Sequence, residues 1–406
     1  MSWPTEILSD VCIIQPPKSE IKRTVCSDSL VSFVPMSNLG IGSQSITLSE
    51  DKKLSDVSSG YTCFSDKDVL LAKITPCFEN GKLGIAKGLT NKVGFGSSEY
   101  IVFRPSTKVT SEYLYYFLSQ QSFRNEGAKH MKGSVGHKRV SKEFIANFRI
   151  PIPAIEIQNK VVTLLDKAFA DIDQARANTE QNLQNARELF DSYLQQVFSE
   201  SGDDWEETNL GAISELKNGL NYTQASKGEL VKIVGVKNFK DKFYISNDEL
   251  ETIQIDGTLS GAYHAKDGDI FIVRSNGNKA LIGRSVLAKG VTGKVSHSGF
   301  TIRVRLSSSA ILPSYLTHYL KSKHVHNLLI RSGEGANISS LNQKALASLP
   351  VRFPEKNEQL RLVHDIEAIQ SKSMALVDVY EQKLAALDEL KQSLLQQAFT
   401  GQLTQG

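Results

Sequence analysis

The chain has 406 residues, more than one ordinary hydrophobic core holds, so we expect two or more domains. Hydrophobic residues make up 40% and charged residues 22%, the proportions of a soluble globular protein. The net charge of +3 says little by itself, but the lack of a signal peptide or long apolar run excludes a membrane span and favours a cytoplasmic protein.

An internal repeat organises the predicted elements. When the sequence is shifted against itself by about 200 residues, matches occur in order along its whole length. The matched pairs include Trp3 with Trp205, VSFVPMSNL from Val31 with VKIVGVKNF from Val231, and SYLQQVFS from Ser192 with SLLQQAFT from Ser393. Two copies of one unit therefore make up the chain.

The first part of each copy, residues 1–157 and 201–357, is rich in short runs of β-branched and aromatic residues. Turn signals such as Asn80-Gly81 and Asn276-Gly277 separate these runs. The pattern predicts a mixed, strand-rich domain in each copy, with one helix near residues 111–121 and another near 313–322.

The second part of each copy, residues 158–200 and 358–406, predicts a helix of about 40 residues without interior Pro or Gly. Apolar residues recur in steps of three and four, which is typical of a coiled-coil seam. The seam positions that we assign are Val161, Leu165, Ile172, Leu183 and Phe190 in the first helix, and Leu362, Ile366, Leu376, Leu384 and Leu394 in the second. Lys391 departs from the repeat, because it stands where the first copy has Phe190.

Helix length predicts the direction of pairing. A helix of this length spans about 60 Å, whereas a domain of this size has a radius of gyration of only about 15 Å. The domain cannot return the chain to start a parallel partner, so the second helix should run antiparallel to the first. The expected fold class is α+β: two strand-rich α/β domains separated by two long antiparallel helices, with a pseudo-two-fold internal repeat.

Charge is divided between these parts. Residues 1–157 carry 19 Lys and Arg against 15 Asp and Glu, and residues 201–357 carry 20 against 15. The helical segments carry 4 against 7 each. Basic domains favour a polyanionic partner, whereas acidic helices do not.

Two sets of loops are candidates for contact with nucleic acid. The first set is a basic loop near residues 124–142 and its less basic counterpart near 331–340, which offers amide and hydroxyl groups. Its candidate residues are Lys132, Ser134, His137, Lys138 and Arg139 in the first copy, and Asn337 and Ser339 in the second. The alternative for the basic loop is an ordinary solvated surface.

The second set follows the matched strands at residues 66–73 and 267–274. A cation with nearby Asn and Gly suits a DNA groove, where Arg or Lys recognises guanine and Asn recognises adenine. Ordinary hairpin turns explain the same pattern equally well. The candidates are Lys73, Thr75, Asn80 and Lys82 in the first copy, and Arg274, Asn276, Asn278 and Lys279 in the second.

Catalytic and metal-binding patterns are weak. Asp10 with Glu20 and Lys22 resembles a nuclease motif but has no equivalent in the second copy, and no phosphate-binding GxxxxGK[ST] occurs. The four cysteines lack the close pairing that zinc needs, and we interpret the cluster of His318, His324 and His326 as surface histidines. We expect no catalytic residue, no metal site and no cofactor in this chain.

Several phrases in the right order resemble the specificity subunits of type I restriction–modification systems. They include LLAKITPCFENGK (70–82), FGSSEYIVFRP (95–105), GSVGHKRVS (133–141) and IFIVRSNGNKALIGRS (270–285), together with the helix endings LQQVFS and LQQAFTG. The resemblance covers essentially the whole chain. It implies that residues 1–157 and 201–357 are target-recognition domains and that the two helices are spacers.

The resemblance also implies the partners. Each recognition domain would read one half of a bipartite, asymmetric site in double-stranded DNA, and the helices would set the spacing. Two methyltransferase subunits would bind S-adenosylmethionine, and nuclease/translocase subunits would use ATP and Mg²⁺. Two alternatives remain open at this point: a self-sufficient S-adenosylmethionine-dependent DNA methyltransferase, and a coiled-coil adaptor that does not bind nucleic acid.

Overall fold

The computed structural model describes residues 3–22, 25–134, 136–199, 202, 204–240, 242–332 and 340–404. Contacts divide the chain into two compact units, unit 1 (Met1–Thr179 with Gln382–Gly406) and unit 2 (Glu180–Glu381). Each long helix is therefore shared between the units. This division differs from the four consecutive segments of the sequence-based scheme, which stays a prediction.

The strands of unit 1 form two four-stranded sheets and two short pairs. Antiparallel pairing dominates, and among the described strands of unit 1 only β3 and β8 pair in parallel. The sheet orders are β2-β9-β6-β7 and β4-β3-β8-β5, with the pairs β1-β12 and β10-β11. The strands are β1 (Thr5–Ile7), β2 (Cys12–Ile14), β3 (Leu30–Val34), β4 (Glu50–Lys53), β5 (Thr62–Ser65), β6 (Val69–Ala72), β7 (Leu83–Ile85), β8 (Val93–Gly96), β9 (Tyr100–Pro105), β10 (Met131–Lys132), β11 (Arg139–Val140) and β12 (Arg149–Pro151).

Unit 2 repeats this arrangement with small changes. Its sheet orders are β14-β21-β18-β19-β16 and β17-β15-β20, with the pair β13-β22. The strands are β13 (Glu206–Asn209), β14 (Ser214–Asn218), β15 (Leu230–Val234), β16 (Tyr244–Ile245), β17 (Glu251–Gln254), β18 (Ile270–Val273), β19 (Ser285–Ala288), β20 (Val295–His297), β21 (Thr301–Leu306) and β22 (Pro350–Phe353).

The helices repeat in part, since α2 and α3 have no counterpart in unit 2. Of the α-helices in the described residues, ten are short and two span 45 residues each. They are α1 (Leu8–Val11), α2 (Ser19–Lys22), α3 (Leu54–Val57), α4 (Ser111–Leu118), α5 (Gln121–Lys129), α6 (Lys142–Asn147), α7 (Ile155–Ser199), α8 (Leu210–Ile213), α9 (Pro313–Lys321), α10 (Lys323–Ser332), α11 (Gln343–Ala347) and α12 (Lys356–Thr400). None of these described helices is both long enough and apolar enough to cross a membrane.

Buried polar contacts show the repeat at the level of single atoms. Asp68 and Asp269 are each 1% exposed in their side chains, and each binds the arginine of a neighbouring strand. Arg104 contacts the first carboxylate at 2.9 Å, and Arg305 contacts the second at 2.7 Å. Each aspartate also accepts a backbone hydrogen bond three residues upstream. The α+β class and the repeat predicted from the sequence are confirmed.

The two long helices contact each other in opposite directions within each unit. In unit 1, Asp173 lies 3.2 Å from Lys391 and Arg176 pairs with Asp388, so residue numbers rise along α7 as they fall along α12. In unit 2, the Ser373 hydroxyl donates to the Ala186 carbonyl at 2.6 Å. Further along, Leu194 and Phe198 share a core with Val363 and Ile366. The predicted antiparallel pairing is confirmed in both units.

The predicted seam residues differ in burial. Val161, Leu165, Ile172, Leu183 and Ile366 are buried. Phe190, Leu362, Leu384 and Leu394 are half-buried, and Leu376 is 38% exposed. Lys391, the departure noted above, extends over the Phe169 ring at 4.7 Å and pairs with Asp173. Its aliphatic stem can thus cover apolar surface while its charge stays paired.

The repeat is also seen in the contacts at the two ends of the long helices. Gln158 and Gln359 are fully buried near the start of α7 and α12, where each makes three hydrogen bonds to loop backbone. At the other end, Phe399 packs on Tyr113 in unit 1, with ring centroids 4.9 Å apart. Phe198 packs equivalently on Tyr315 in unit 2, at 5.6 Å. Each unit is completed by the end of a long helix.

Candidate nucleic-acid interface

In unit 1 the structure joins the two sets of candidate loops. The backbone N–H of Val140 donates to the carbonyl of Lys73 at 3.0 Å, and the N–H of Thr75 donates to the carbonyl of Lys138 at 2.9 Å. The loop that follows β6 therefore lies against the basic loop that ends in β11. Two sequence-distant groups of cations belong to one surface.

Glu99 lies at the centre of this surface. Its carboxylate accepts hydrogen bonds from Arg139 at 2.7 and 2.9 Å, and its backbone carbonyl accepts one from the N–H of Lys73 at 2.9 Å. The hydrogen bonds from Arg139 lower the pKa of Glu99, against the opposing effect of burial, and nearby Lys73 lowers it further. The carboxylate is therefore a stable anion among cations.

The other candidates of unit 1 divide into two groups. Lys132, Ser134, His137 and Lys138 are exposed on the basic loop, where the His137 N–H donates to the Ser134 carbonyl at 3.0 Å. Asn80 is also exposed on the loop after β6. Lys82 is oriented differently, because its ammonium group donates to the Met36 carbonyl at 2.8 Å. The Thr75 hydroxyl donates to Glu79 at 3.1 Å.

Unit 2 builds the same junction with other side chains. The N–H of Leu341 donates to the carbonyl of Arg274 at 2.7 Å, as Val140 does to Lys73. The N–H of Arg274 donates to the carbonyl of Phe300 at 2.8 Å, as Lys73 does to Glu99. The two units have the same backbone hydrogen bonds at this junction. Their side chains differ: Lys73, Glu99 and Arg139 in unit 1 correspond to Arg274, Phe300 and Ser340 in unit 2.

The remaining candidates of unit 2 lie on the loop after β18. Asn276 is half-buried, and its side-chain oxygen accepts the N–H of Asn278 at 2.8 Å. Asn278 in turn caps the short helical turn Lys279–Leu281 by accepting the N–H of Ala280 at 3.1 Å. Asn278 and Lys279 are exposed. Asn337 and Ser339 lie outside the described residues.

Sequence reasoning missed Glu99 and Phe300. Both precede the strand that pairs with β6 or β18, and a shift of 201 positions aligns them as it aligns Lys73 with Arg274. That alignment was the available signal. Neither an acidic nor an apolar residue has the cation, amide or hydroxyl group that indicates DNA contact in a sequence.

The residues of the weak catalytic patterns have structural contacts. Glu20 pairs with Arg104 at 2.5 Å, and Asp10 is exposed. The interpretation of His318 as a surface histidine is wrong: it is fully buried, 4.2 Å from the Phe243 ring, because that face of α9 packs into the core. His324 is exposed and His326 is half-buried. Within the described ranges, no three His, Cys, Asp or Glu side chains are grouped so that they could hold a metal ion.

Comparison with known proteins shows what this chain is similar to. Residues 3–183 match the model of the type I restriction modification DNA specificity domain. The type I restriction enzyme EcoEI specificity subunit of Escherichia coli is 26% identical over 90% of this chain and 77% of its own length. The EcoAI specificity subunit of Escherichia coli is 32% identical over 57% and 39%, and the StySPI subunit of Salmonella potsdam is 25% identical over 82% and 76%.

Solved structures share the fold along the whole chain. A chain described under complex assembly and conformational transition of the type I R-M system has a TM-score of 0.76 at 18% identity, covering 99% of this chain and 98% of that one. The HsdS subunit from Thermoanaerobacter tengcongensis has a TM-score of 0.69 at 18% identity, covering 99% and 97%. Residues 3–183 thus match the type I restriction modification DNA specificity domain, and the chain is similar along most of its length to type I restriction enzyme specificity subunits.

Proposed function

We propose that each unit of this specificity subunit docks on double-stranded DNA and reads one half of a bipartite, asymmetric target. The observation that carries this proposal is the repeated junction of two loops at Lys73 and at Arg274. The same backbone hydrogen bonds hold different side chains in the two copies. Two unlike readers on one scaffold are what an asymmetric target requires.

The long helices are proposed to set the distance between the half-sites and to dock partner subunits. Each helix has 45 residues and therefore a length of about 68 Å at 1.5 Å per residue. Each helix has residues in both compact units and is continuous from one to the other, which supports this proposal. The proposed partners are two methyltransferase subunits and, through them, nuclease/translocase subunits.

Methylation and cleavage of DNA are carried out by those partners, since the chain is a specificity subunit and not an enzyme. We propose that S-adenosylmethionine, ATP and Mg²⁺ are bound by the partner subunits and that this chain binds no cofactor. A target adenine would then be extruded from the duplex into a methyltransferase pocket. The proposed location is the cytoplasm, where the DNA and the partners meet.

The test is to map methylated adenines in cells that express the complete system with a loop variant. Lys138→Ala combined with Arg139→Ala should weaken recognition of the first half-site and leave the sequence preference of the second intact. In titrations, the slope of log affinity against log salt should fall by up to about 2, because two potential phosphate contacts are removed. If both half-sites lose preference together, the assignment of this loop is wrong.

The matched control is Lys87→Ala with Lys108→Ala. It removes the same charge, and both of its lysines are paired with carboxylates, Glu112 and Glu6, away from the loop junction. We expect the methylation pattern of this control to be unchanged. Methylation by the purified chain alone, with S-adenosylmethionine supplied, would instead favour the self-sufficient methyltransferase.

A further inference from the structure

Phe300 is an aromatic residue that the fold does not use for its core. Its side chain is 61% exposed, on the turn between β20 and β21, whereas the neighbouring residues Ser298 and Thr301 are buried. Leaving a phenylalanine in water forgoes about 1.5–3 kcal/mol of burial. The Phe300 side chain is therefore available to contact a partner outside the core.

The turn holds Phe300 in one place. The N–H of Phe300 donates to the Ser298 hydroxyl at 3.1 Å, and the N–H of Thr301 donates to the Ser298 carbonyl at 2.8 Å. Gly299 is tied to a second loop through its N–H, which donates to the Leu220 carbonyl at 2.7 Å. A side chain on such a backbone loses little freedom when it meets a partner.

The neighbours of Phe300 are the proposed DNA-reading residues. Its carbonyl accepts the N–H of Arg274 at 2.8 Å, and that of Ser275 at 3.3 Å. Its equivalent in unit 1 is Glu99, which binds Arg139 directly. Phe300 therefore stands at the same place in the proposed interface, but with no charge and no hydrogen-bonding group.

The chemistry of the DNA major groove leaves few partners for such a side chain. Base edges there present hydrogen-bond donors and acceptors, and the apolar group among them is the 5-methyl of thymine. We propose that Phe300 is a base-contacting, specificity-determining residue of unit 2, whose ring packs against a thymine methyl beside the base read by Arg274. This inference rests on the proposed function, since it requires unit 2 to dock on DNA.

The experiment measures DNA affinity with the full chain assembled with its methyltransferase partner. The DNA is the mapped target, in which each thymine of the second half-site is replaced in turn by uracil, which lacks only the methyl group. At one position the wild-type complex should bind about fourfold more weakly, the value of one buried methyl-sized group. Phe300→Ala should bind the thymine target at least as weakly as the wild type binds the uracil target. Its affinity should not fall further when that thymine is replaced by uracil.

Two variants serve as controls. Leu230→Ala removes a side chain that is 60% exposed on β15 of the same unit, and its affinity should stay that of the wild type. Phe300→Leu keeps an apolar group on the turn and should retain part of the discrimination between thymine and uracil. Because Phe300 is exposed, none of its variants should lower the stability of unit 2.

Two outcomes overturn the inference. The first is that Phe300→Ala binds the target as tightly as the wild type does. The second is that Phe300→Ala loses affinity equally for the target and for every thymine-to-uracil substitution, as expected for a ring wedged between base pairs. Failure of the proposed function gives a different result, because the wild-type complex would then show no preference for its target over random DNA.

Discussion

The guanidinium of Arg139 donates two hydrogen bonds to the carboxylate of Glu99, at 2.7 and 2.9 Å, across 40 positions of sequence. Two parallel hydrogen bonds fix the plane of a guanidinium group as well as its charge. The pair lies beside Lys73, whose ammonium donates to the Ser98 carbonyl at 2.9 Å. Glu99 thus holds Arg139, a proposed DNA-contacting residue, in one orientation and limits its attraction to phosphates.

Glu99→Gln should therefore raise the affinity for DNA of any sequence and lower the sequence specificity of unit 1. Loss of the carboxylate removes one negative charge near the DNA and frees Arg139 for phosphate contact. We expect tighter binding to random DNA, a salt slope steeper by about 1, and weaker sequence preference in the first half-site. Fluorescence anisotropy titrations at several salt concentrations measure the first two effects.

Glu112→Gln is the matched control for this substitution. Glu112 also belongs to unit 1 and also pairs with a cation, Lys87 at 2.8 Å, but it lies at the start of α4 rather than at the loop junction. Its replacement should leave the random-DNA affinity and the salt slope unchanged. Equal effects of the two substitutions would mean that Glu99 acts only through net charge.

The repeat and the helix lengths could be predicted because both are visible in the order and spacing of residues along the sequence. The partners of Arg139 could not, since Glu99 lies on another strand and their contact depends on how three segments converge. Periodicity likewise indicates a helix near His318 but not that Phe243, from a distant loop, covers that face. Local patterns predict elements, whereas contacts between distant segments determine the site.

Phe399 should contribute to the free energy of unfolding of unit 1 and not to that of unit 2. Its ring packs on Tyr113 and Phe117, with centroids 4.9 and 5.4 Å apart, at the end of α12. Phe399→Ala should reduce the free energy of unfolding of unit 1 by about 3 kcal/mol or more. Urea unfolding followed by Trp3 emission in a Trp205→Phe background reports on unit 1 alone, because each unit then has one tryptophan or none.

The same measurement in a Trp3→Phe background reports on unit 2, where Phe399→Ala should have no effect. Phe198→Ala is the reciprocal variant and should destabilise unit 2, since Phe198 packs on Tyr315 and Tyr319. Equal destabilisation of both units by either variant would contradict this division of the core.

Gln158→Leu tests the buried amide near the start of α7. The Gln158 side chain accepts from the Thr110 N–H at 3.0 Å and donates to the carbonyls of Lys108 and Pro153 at 2.8 and 3.0 Å. A leucine fills similar space but leaves these backbone groups unpaired, at a cost of about 2 kcal/mol to unit 1. Gln174→Leu, at an exposed position of the same helix, should change stability by less than about 0.5 kcal/mol.

Unit 2 should lose stability in mild acid before unit 1 does. Burial lowers the pKa of both His297 and His318 to about 3, and nearby cations add to the effect. At the matching positions unit 1 has Gly96 and Tyr116, which do not titrate in this range. These two positions should therefore give the two units different pH dependences.

The stability of unit 2 should fall with pH because the unfolded chain binds more protons than the folded unit. In the unfolded chain both histidines protonate near their ordinary pKa of 6.5, whereas in the fold they stay neutral down to about pH 3. The two histidines therefore do not reduce the free energy of unfolding of unit 2 above pH 6.5. Below pH 6.5 that free energy falls by up to about 2.7 kcal/mol per pH unit for the two together. Urea unfolding at pH 7.5, 6 and 5, followed by Trp205 emission in the Trp3→Phe background, should show this loss. His318→Gln should reduce the slope by about half, and an unchanged slope would mean that His318 is protonated in the folded unit.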